Sequence, residues 1–221
     1  MNIAVTMRVV DNSTYLERRD AISHDWLRMI EKHPITPILI PNSLKRPVEF
    51  LRSIEVKGLL LTGGNDLGPL RGEIGLKPDA MERDSTENQL LQWAVDEEVP
   101  VFGVCRGLQL INVYFNGGIE RNLESRGCHV NVNHKVSIVS ESMKSLEDLN
   151  EIITNSYHNN GVLLSGLSSE LEVFAVAEND VVEGVRHPNL PIIAVQWHPE
   201  RKNPAYELDN NIFLEWLSLC D

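Results

Sequence analysis

With 221 residues, 42% of them hydrophobic and 24% charged, the chain is long enough to bury a sizeable core and reads as one domain over residues 1–221. Its net charge of −12 argues against nucleic acid and anionic membrane as partners, while leaving room for a local basic pocket. No apolar stretch approaches the ~20 residues of a membrane helix, no basic leader precedes the first apolar run, and three cysteines form no disulfide set, so a cytoplasmic setting is expected.

Taken in chain order, Ile3 to Met7 reads as a strand. Asp11-Asn12-Ser13-Thr14 offers N-caps for a helix over Tyr15–Lys32, with Leu16, Ile22, Trp26, Leu27 and Ile30 as a rough apolar face. Thr36 to Pro41 is a second strand, Pro47 to Ile54 a short helix with proline at its first position, and Gly58 to Leu61 a third strand. This βαβαβ rhythm predicts an α/β fold: a central, mostly parallel sheet flanked by helices, with sites beyond the carboxyl ends of its strands. The third strand runs into Thr62-Gly63-Gly64-Asn65-Asp66, and a long loop continues to Arg83. Asp84 and Glu87 resemble a capping pair for a helix over Ser85–Glu97.

Val99-Pro100-Val101-Phe102 is the next strand, and Leu108 to Phe115 the helix after it, stopped by Asn116-Gly117-Gly118. The alternation in Cys128–Ser140 suggests strands in a hairpin or at a sheet edge. His129 and His134 lie in that stretch. With no carboxylate or thiolate set at matching spacing, they read as solvated edge histidines, and no metal is expected. Ile152 onward is a short strand entering the polar turn His158-Asn159-Asn160-Gly161. Leu171–Ala177 and Val181–His187 read as a hairpin, Pro191–Trp197 as a strand, and Tyr206–Leu219 as an amphipathic helix that packs on the sheet.

Two segments carry the chemistry. Gly103-Val104-Cys105-Arg106-Gly107, between a strand and a helix, is a nucleophile elbow that lifts the Cys105 sulfur to a helix N-terminus, where thiolate is favoured over thiol. In Gln196-Trp197-His198-Pro199-Glu200, Pro199 holds His198 extended, so His198 and Glu200 point to the same side. Cys105, His198 and Glu200 therefore form a candidate triad of nucleophile, base and orienting carboxylate. An α/β-hydrolase is disfavoured, because the carboxylate follows the histidine instead of preceding it. Gly63-Gly64 supplies flexible backbone whose N–H groups could meet a developing oxyanion.

Gly-Val-Cys-Arg-Gly-Leu-Gln, Asn155-Ser156-Tyr157-His158 and Gln196-Trp197-His198-Pro199-Glu200, in this order, resemble the class I glutamine amidotransferase superfamily. Cys-Arg-Gly at the elbow, with Leu61-Thr62-Gly63-Gly64-Asn65-Asp66 upstream, is closer to its stand-alone γ-glutamyl hydrolase branch. The resemblance implies a flavodoxin-like fold with a small added β region and hydrolysis of a γ-glutamyl amide through a thioester on Cys105. It implies that the amide of Gly64, or of Gly63, pairs with that of Arg106 to hold the oxyanion. Gln109 would bind the amino-acid end of the glutamyl group, and Ser156, Tyr157 and His158 would border it. The implied partner is a small γ-glutamyl substrate, with no cofactor; a homodimer is compatible with the chain. The hydrolases of γ-glutamyl-CDP-amidate in capsule phosphoramidate synthesis are the nearest specific resemblance, with Arg71, Arg201 and Lys202 as candidates to meet a diphosphate. A γ-glutamyl-γ-aminobutyrate hydrolase and a glutaminase subunit feeding ammonia to a separate synthetase are the alternatives.

Overall fold

The computed structural model describes residues 1–70, 73, 76–126, 129–140 and 142–221. Arg71 and Cys128 fall outside the described residues, as does part of the loop between Asp66 and Arg83. In chain order the strands are β1 (Asn2–Thr6), β2 (Arg8–Asp11), β3 (Arg18–Ala21), β4 (Thr36–Ile40), β5 (Val56–Leu61) and β6 (Val101–Val104). The later strands are β7 (Val130–Ile138), β8 (Glu151–Tyr157), β9 (Val162–Leu163), β10 (Glu172–Ala177), β11 (Val181–Arg186) and β12 (Ile192–Val195). The α-helices are α1 (His24–Ile30), α2 (Pro47–Arg52), α3 (Met81–Asp96), α4 (Arg106–Tyr114) and α5 (Tyr206–Leu217).

One sheet runs in the order β4-β1-β5-β6-β12-β11-β10-β7-β8, with β9 paired to β11. From β4 to β12 every pairing is parallel; from β12 to β8 every pairing is antiparallel. The parallel strands β1, β5, β6 and β12 are almost wholly buried apolar runs, as strands covered on both faces must be. Trp26, Met29 and Ile30 of α1 and Ile212, Phe213 and Trp216 of α5 fill one face. Leu51 of α2, Leu90, Leu91 and Trp93 of α3 and Leu108 and Ile111 of α4 fill the other.

The predicted α/β class holds, but the antiparallel half is larger than a small added region. Several local expectations are corrected. Tyr15–Lys32 is not one helix: β2 and β3 form a separate two-stranded hairpin, and the helix is confined to His24–Ile30. Leu16, expected on the apolar face, is fully exposed. Asn12 closes the hairpin turn instead of capping a helix, its amide donating to the Glu17 carbonyl at 2.9 Å. The true cap is Ser23, which accepts from the Asp25 amide at 3.2 Å. Helix α3 begins at Met81, a turn earlier than Ser85. Asp84 and Glu87 do not cap it, because both carboxylates serve buried arginines. Strand β7 is internal, paired on both sides, and His129 is 6% exposed, so the two histidines are not solvated at an edge.

Candidate active site

Strands β5, β6 and β12 are neighbours, in register so that Leu61 pairs with Gly103 and Val104 with Val195. The chain leaves the sheet just beyond these pairs, at Gly63, Cys105 and His198. Three segments far apart in sequence thus meet at one edge because their strands end at the same level. The amide of Cys105 still donates to the Val195 carbonyl, at 2.8 Å. Cys105 has φ 55° and ψ −103°, and α4 starts with the next residue. A side chain at Gly107 would stand 2.4 Å from the Leu61 carbonyl oxygen, so the elbow can seat α4 on β5 only with glycine there.

His198 is 2% exposed, and its Nδ1 lies 2.7 Å from Glu200 Oε1. Its imidazole interacts electrostatically with the nearby Cys105 thiol. Burial opposes a charged imidazole, but Glu200 and then Cys105 outweigh it and raise His198 to about 9. Burial would also raise the Cys105 thiol; the His198 charge and hydrogen bond, with a further contribution from His158, hold it below its ordinary value. Both shifts favour the thiolate–imidazolium form of the pair. A side chain on Gly63 would stand 2.8 Å from His198 Cε1 and 3.3 Å from Cys105 Cβ, so this glycine lets the loop close on both side chains.

Buried polar groups fix each part of the constellation. The Arg83 guanidinium, wholly buried, donates to the carbonyls of Thr62 (2.7 Å), Gly63 (3.1 Å) and Gly64 (2.7 Å) and pairs with Glu87 at 2.7 Å. Burial lowers it to about 9. Arg106 follows Cys105 and is 2% exposed; its side chain pairs with Asp84 at 2.5 Å and with Glu87. Asn155 clamps the backbone of His198 from both sides: Nδ2 donates to its carbonyl at 2.8 Å, and Oδ1 accepts from its amide at 2.9 Å. Below it, Asn203 accepts from the Asn155 amide and donates to Asp209, which also receives the Trp197 indole N–H at 2.8 Å.

A cavity of about 340 Å³ opens over Cys105. Arg106, Gln109 and His198 line it with Cys105, and Gly64, Tyr157, His158 and Arg201 form its walls. Gln109 Nε2 donates to the Asn160 carbonyl at 2.9 Å. Tyr157 stands edge-on to His198, with ring centres 5.8 Å apart, and Arg201 lies 4.4 Å above the Tyr157 ring. Ser156 is not part of this wall; it is fully buried and its hydroxyl donates to the His129 carbonyl at 2.7 Å. Lys202 lines a different depression, beside α1. Arg8 is a site residue that sequence reasoning misses. It sits in the cavity wall, its guanidinium filling the space where a Gly64 side chain would stand. Nothing local marks Arg8, because it enters the site from a hairpin whose sequence reads as a loop and a helix. Asn155 and Arg83 are equally silent. The first lies within a recognised motif but acts on a backbone; the second stands where the sequence predicts a loop.

The chain has known relatives. A γ-glutamyl-CDP-amidate hydrolase of Campylobacter jejuni is 29% identical over 223 residues, covering 99% of this chain and 98% of that protein. A γ-glutamyl-γ-aminobutyrate hydrolase of Escherichia coli O157:H7 is 30% identical over 205 residues, covering 83% of this chain and 80% of that one. Among solved structures, the glutaminase domain of Trypanosoma brucei CTPS superposes with a TM-score of 0.68 at 17% identity, covering 99% of this chain and 93% of that one, a likeness of fold. Residues 2–200 match the Peptidase C26 family, and the chain belongs to that family.

Proposed function

We propose that the protein hydrolyses the C–N bond of a γ-glutamyl amide whose leaving amine carries negative charge. The observation that supports this most directly is the buried Cys105–His198–Glu200 constellation beneath a cavity walled by Arg8 and Arg201. The Cys105 thiolate attacks the γ-carbonyl carbon. The oxyanion is met by the amides of Arg106 and of Gly64 or Gly63. His198, charged and held by Glu200, delivers its proton to the departing nitrogen as the C–N bond breaks, leaving a γ-glutamyl thioester. Neutral His198 then takes a proton from water; the hydroxide oxygen displaces the sulfur, and glutamate leaves with Cys105 again a thiolate.

The C. jejuni relative, matched along nearly its full length, favours a γ-glutamyl-CDP-amidate as substrate, with capsule biosynthesis as its setting. Arg8 and Arg201 would then face the diphosphate. The shorter carboxylate of γ-aminobutyrate, the leaving group suggested by the E. coli relative, is the second reading.

The test is a substrate panel of γ-glutamyl-CDP-amidate, γ-glutamyl-γ-aminobutyrate, glutamine and an uncharged γ-glutamyl alkylamide. Arg8→Met should lower kcat/KM about 10- to 100-fold for the anionic leaving groups, as for the loss of a hydrogen bond to a charged group, and leave the alkylamide nearly unchanged. Equal losses on all four would remove the anionic leaving group from the proposal. Cleavage of glutamine alone, and only with a synthetase present, would favour the ammonia-feeding subunit.

A further inference from the structure

A second cluster of titratable side chains lies in the antiparallel half of the sheet. His129 immediately precedes β7, His134 is within it, His158 follows β8, and Glu183 is in β11. His129, His134 and Glu183 each offer one donor atom, all within 4.8 Å of one another. Glu183 is wholly buried, yet neither of its carboxylate oxygens accepts a well-formed hydrogen bond among the described residues. The nearest nitrogens, His158 Nε2 and His134 Nε2, stand 3.4 Å and 3.6 Å from Glu183 Oε1. The same protein shows how a buried histidine closes on a carboxylate when the two share a proton: His198 and Glu200 meet at 2.7 Å.

We propose that His129, His134 and Glu183 bind a divalent transition-metal ion of the zinc class, with His158 Nε2, 3.4 Å from Glu183 Oε1, as the nearest further nitrogen. Bonds of about 2.0–2.2 Å around a tetrahedral ion space its ligands roughly 3.3–3.5 Å apart; His134 Nε2 is near that spacing from Glu183 Oε1, and the set, within 4.8 Å, would close slightly on the ion. Imidazole nitrogens with one carboxylate suit zinc and its neighbours. His158 Nδ1 is 3.1 Å from the Asn160 carbonyl, an outer bond of the kind that fixes the tautomer and turns the other nitrogen toward a metal. The ion would place positive charge directly against this buried carboxylate. It would tie β7, β11 and the end of β8 together, holding the Tyr157–His158 wall of the catalytic cavity in place.

Metal binding is tested independently of hydrolysis, in the full chain carrying Cys105→Ser, so that the catalytic thiolate does not compete. After chelation and desalting, the protein is titrated with Co²⁺ and then Zn²⁺. One Co²⁺ per chain is expected, with the intense visible absorption of a four-coordinate ion, displaced by Zn²⁺, and with a rise in Tm on loading. Glu183→Gln and His134→Gln should each weaken binding by about a hundredfold or more, beyond the roughly 10- to 100-fold effect of outer-shell changes. His134 is partly exposed and at the less demanding position, so it serves if Glu183→Gln fails to fold. No stoichiometric uptake by the folded protein, or uptake indifferent to the substitution in a variant with a native circular dichroism spectrum, overturns the metal site and leaves a cluster of histidine and carboxylate side chains.

Discussion

The two halves of the sheet divide the work of the site differently. The parallel half supplies the groups proposed to react, each at a strand end: Gly63 after β5, Cys105 after β6 and His198 after β12. The antiparallel half supplies no member of the Cys105–His198–Glu200 set. It contributes Asn155, which grips the His198 backbone, and Tyr157 and His158, which wall the cavity. Strand ends in a parallel sheet are fixed by ladders on both sides, and the buried contacts of Arg83, Arg106 and Asn155 hold the groups placed there. A wall built from an edge hairpin can vary in shape without disturbing the chemistry. Substitutions in the first half should therefore act on kcat, and those in the second mainly on KM.

The largest effect that sharpens this division is expected from Cys105→Ala, which removes the proposed nucleophile and should lower kcat about 10⁴-fold or more, read as glutamate release. Glu200→Gln comes next. It keeps the shape but weakens the charge behind His198, and should cost about 10²- to 10⁴-fold in kcat with KM little changed. Asn155→Ala lies in the antiparallel half yet acts on His198, so it tests the boundary; a loss of about 10- to 100-fold in kcat is expected. A pure KM effect there would break the comparison. Tyr157→Leu removes the edge contact to His198 and the platform under Arg201, and should raise KM about two- to fivefold, the scale of an exposed cation–π contact.

The pH profile separates the halves in another way. His198, raised to about 9, must be charged to protonate the leaving amine, so kcat/KM should fall as pH rises through about 9. Cys105 is held below its ordinary value, so the acid limb should lie below the usual thiol range of ~8.5. Thiol alkylation of Cys105 should track that acid limb. Replacing Tyr157 should move neither limb; a shift in either would show that the wall tunes the pair.

The parallel half is legible in the sequence because its signals are local. Continuous apolar runs such as Leu59-Leu60-Leu61 mark buried strands, and Gly-x-Cys-x-Gly and His-Pro-Glu mark the turns at strand ends. The antiparallel half is less so. Strand β7 alternates only loosely in burial, and the partner that gives His129 and His134 a context, Glu183, lies about fifty residues away on another strand. Strand β3 of the hairpin reads as helix because Ile22, Trp26 and Ile30 do have helical spacing, while the charged Glu17-Arg18-Arg19-Asp20 segment carries no strand signature. Arg8 is hidden with it. Glu87 looks like part of a helix start because Asp84 precedes it at capping distance; nothing local announces that Arg83 and Arg106 converge on that carboxylate.

The Arg83 staple has one more effect. In a trans peptide the hydrogen points opposite to the oxygen, so drawing the carbonyls of Thr62, Gly63 and Gly64 toward one guanidinium turns the amide hydrogens of Gly63, Gly64 and Asn65 the other way. The turn therefore presents a row of positive dipole ends whose direction is set during folding. Negative charge growing on that side finds its solvation already arranged, with no reorientation left to perform.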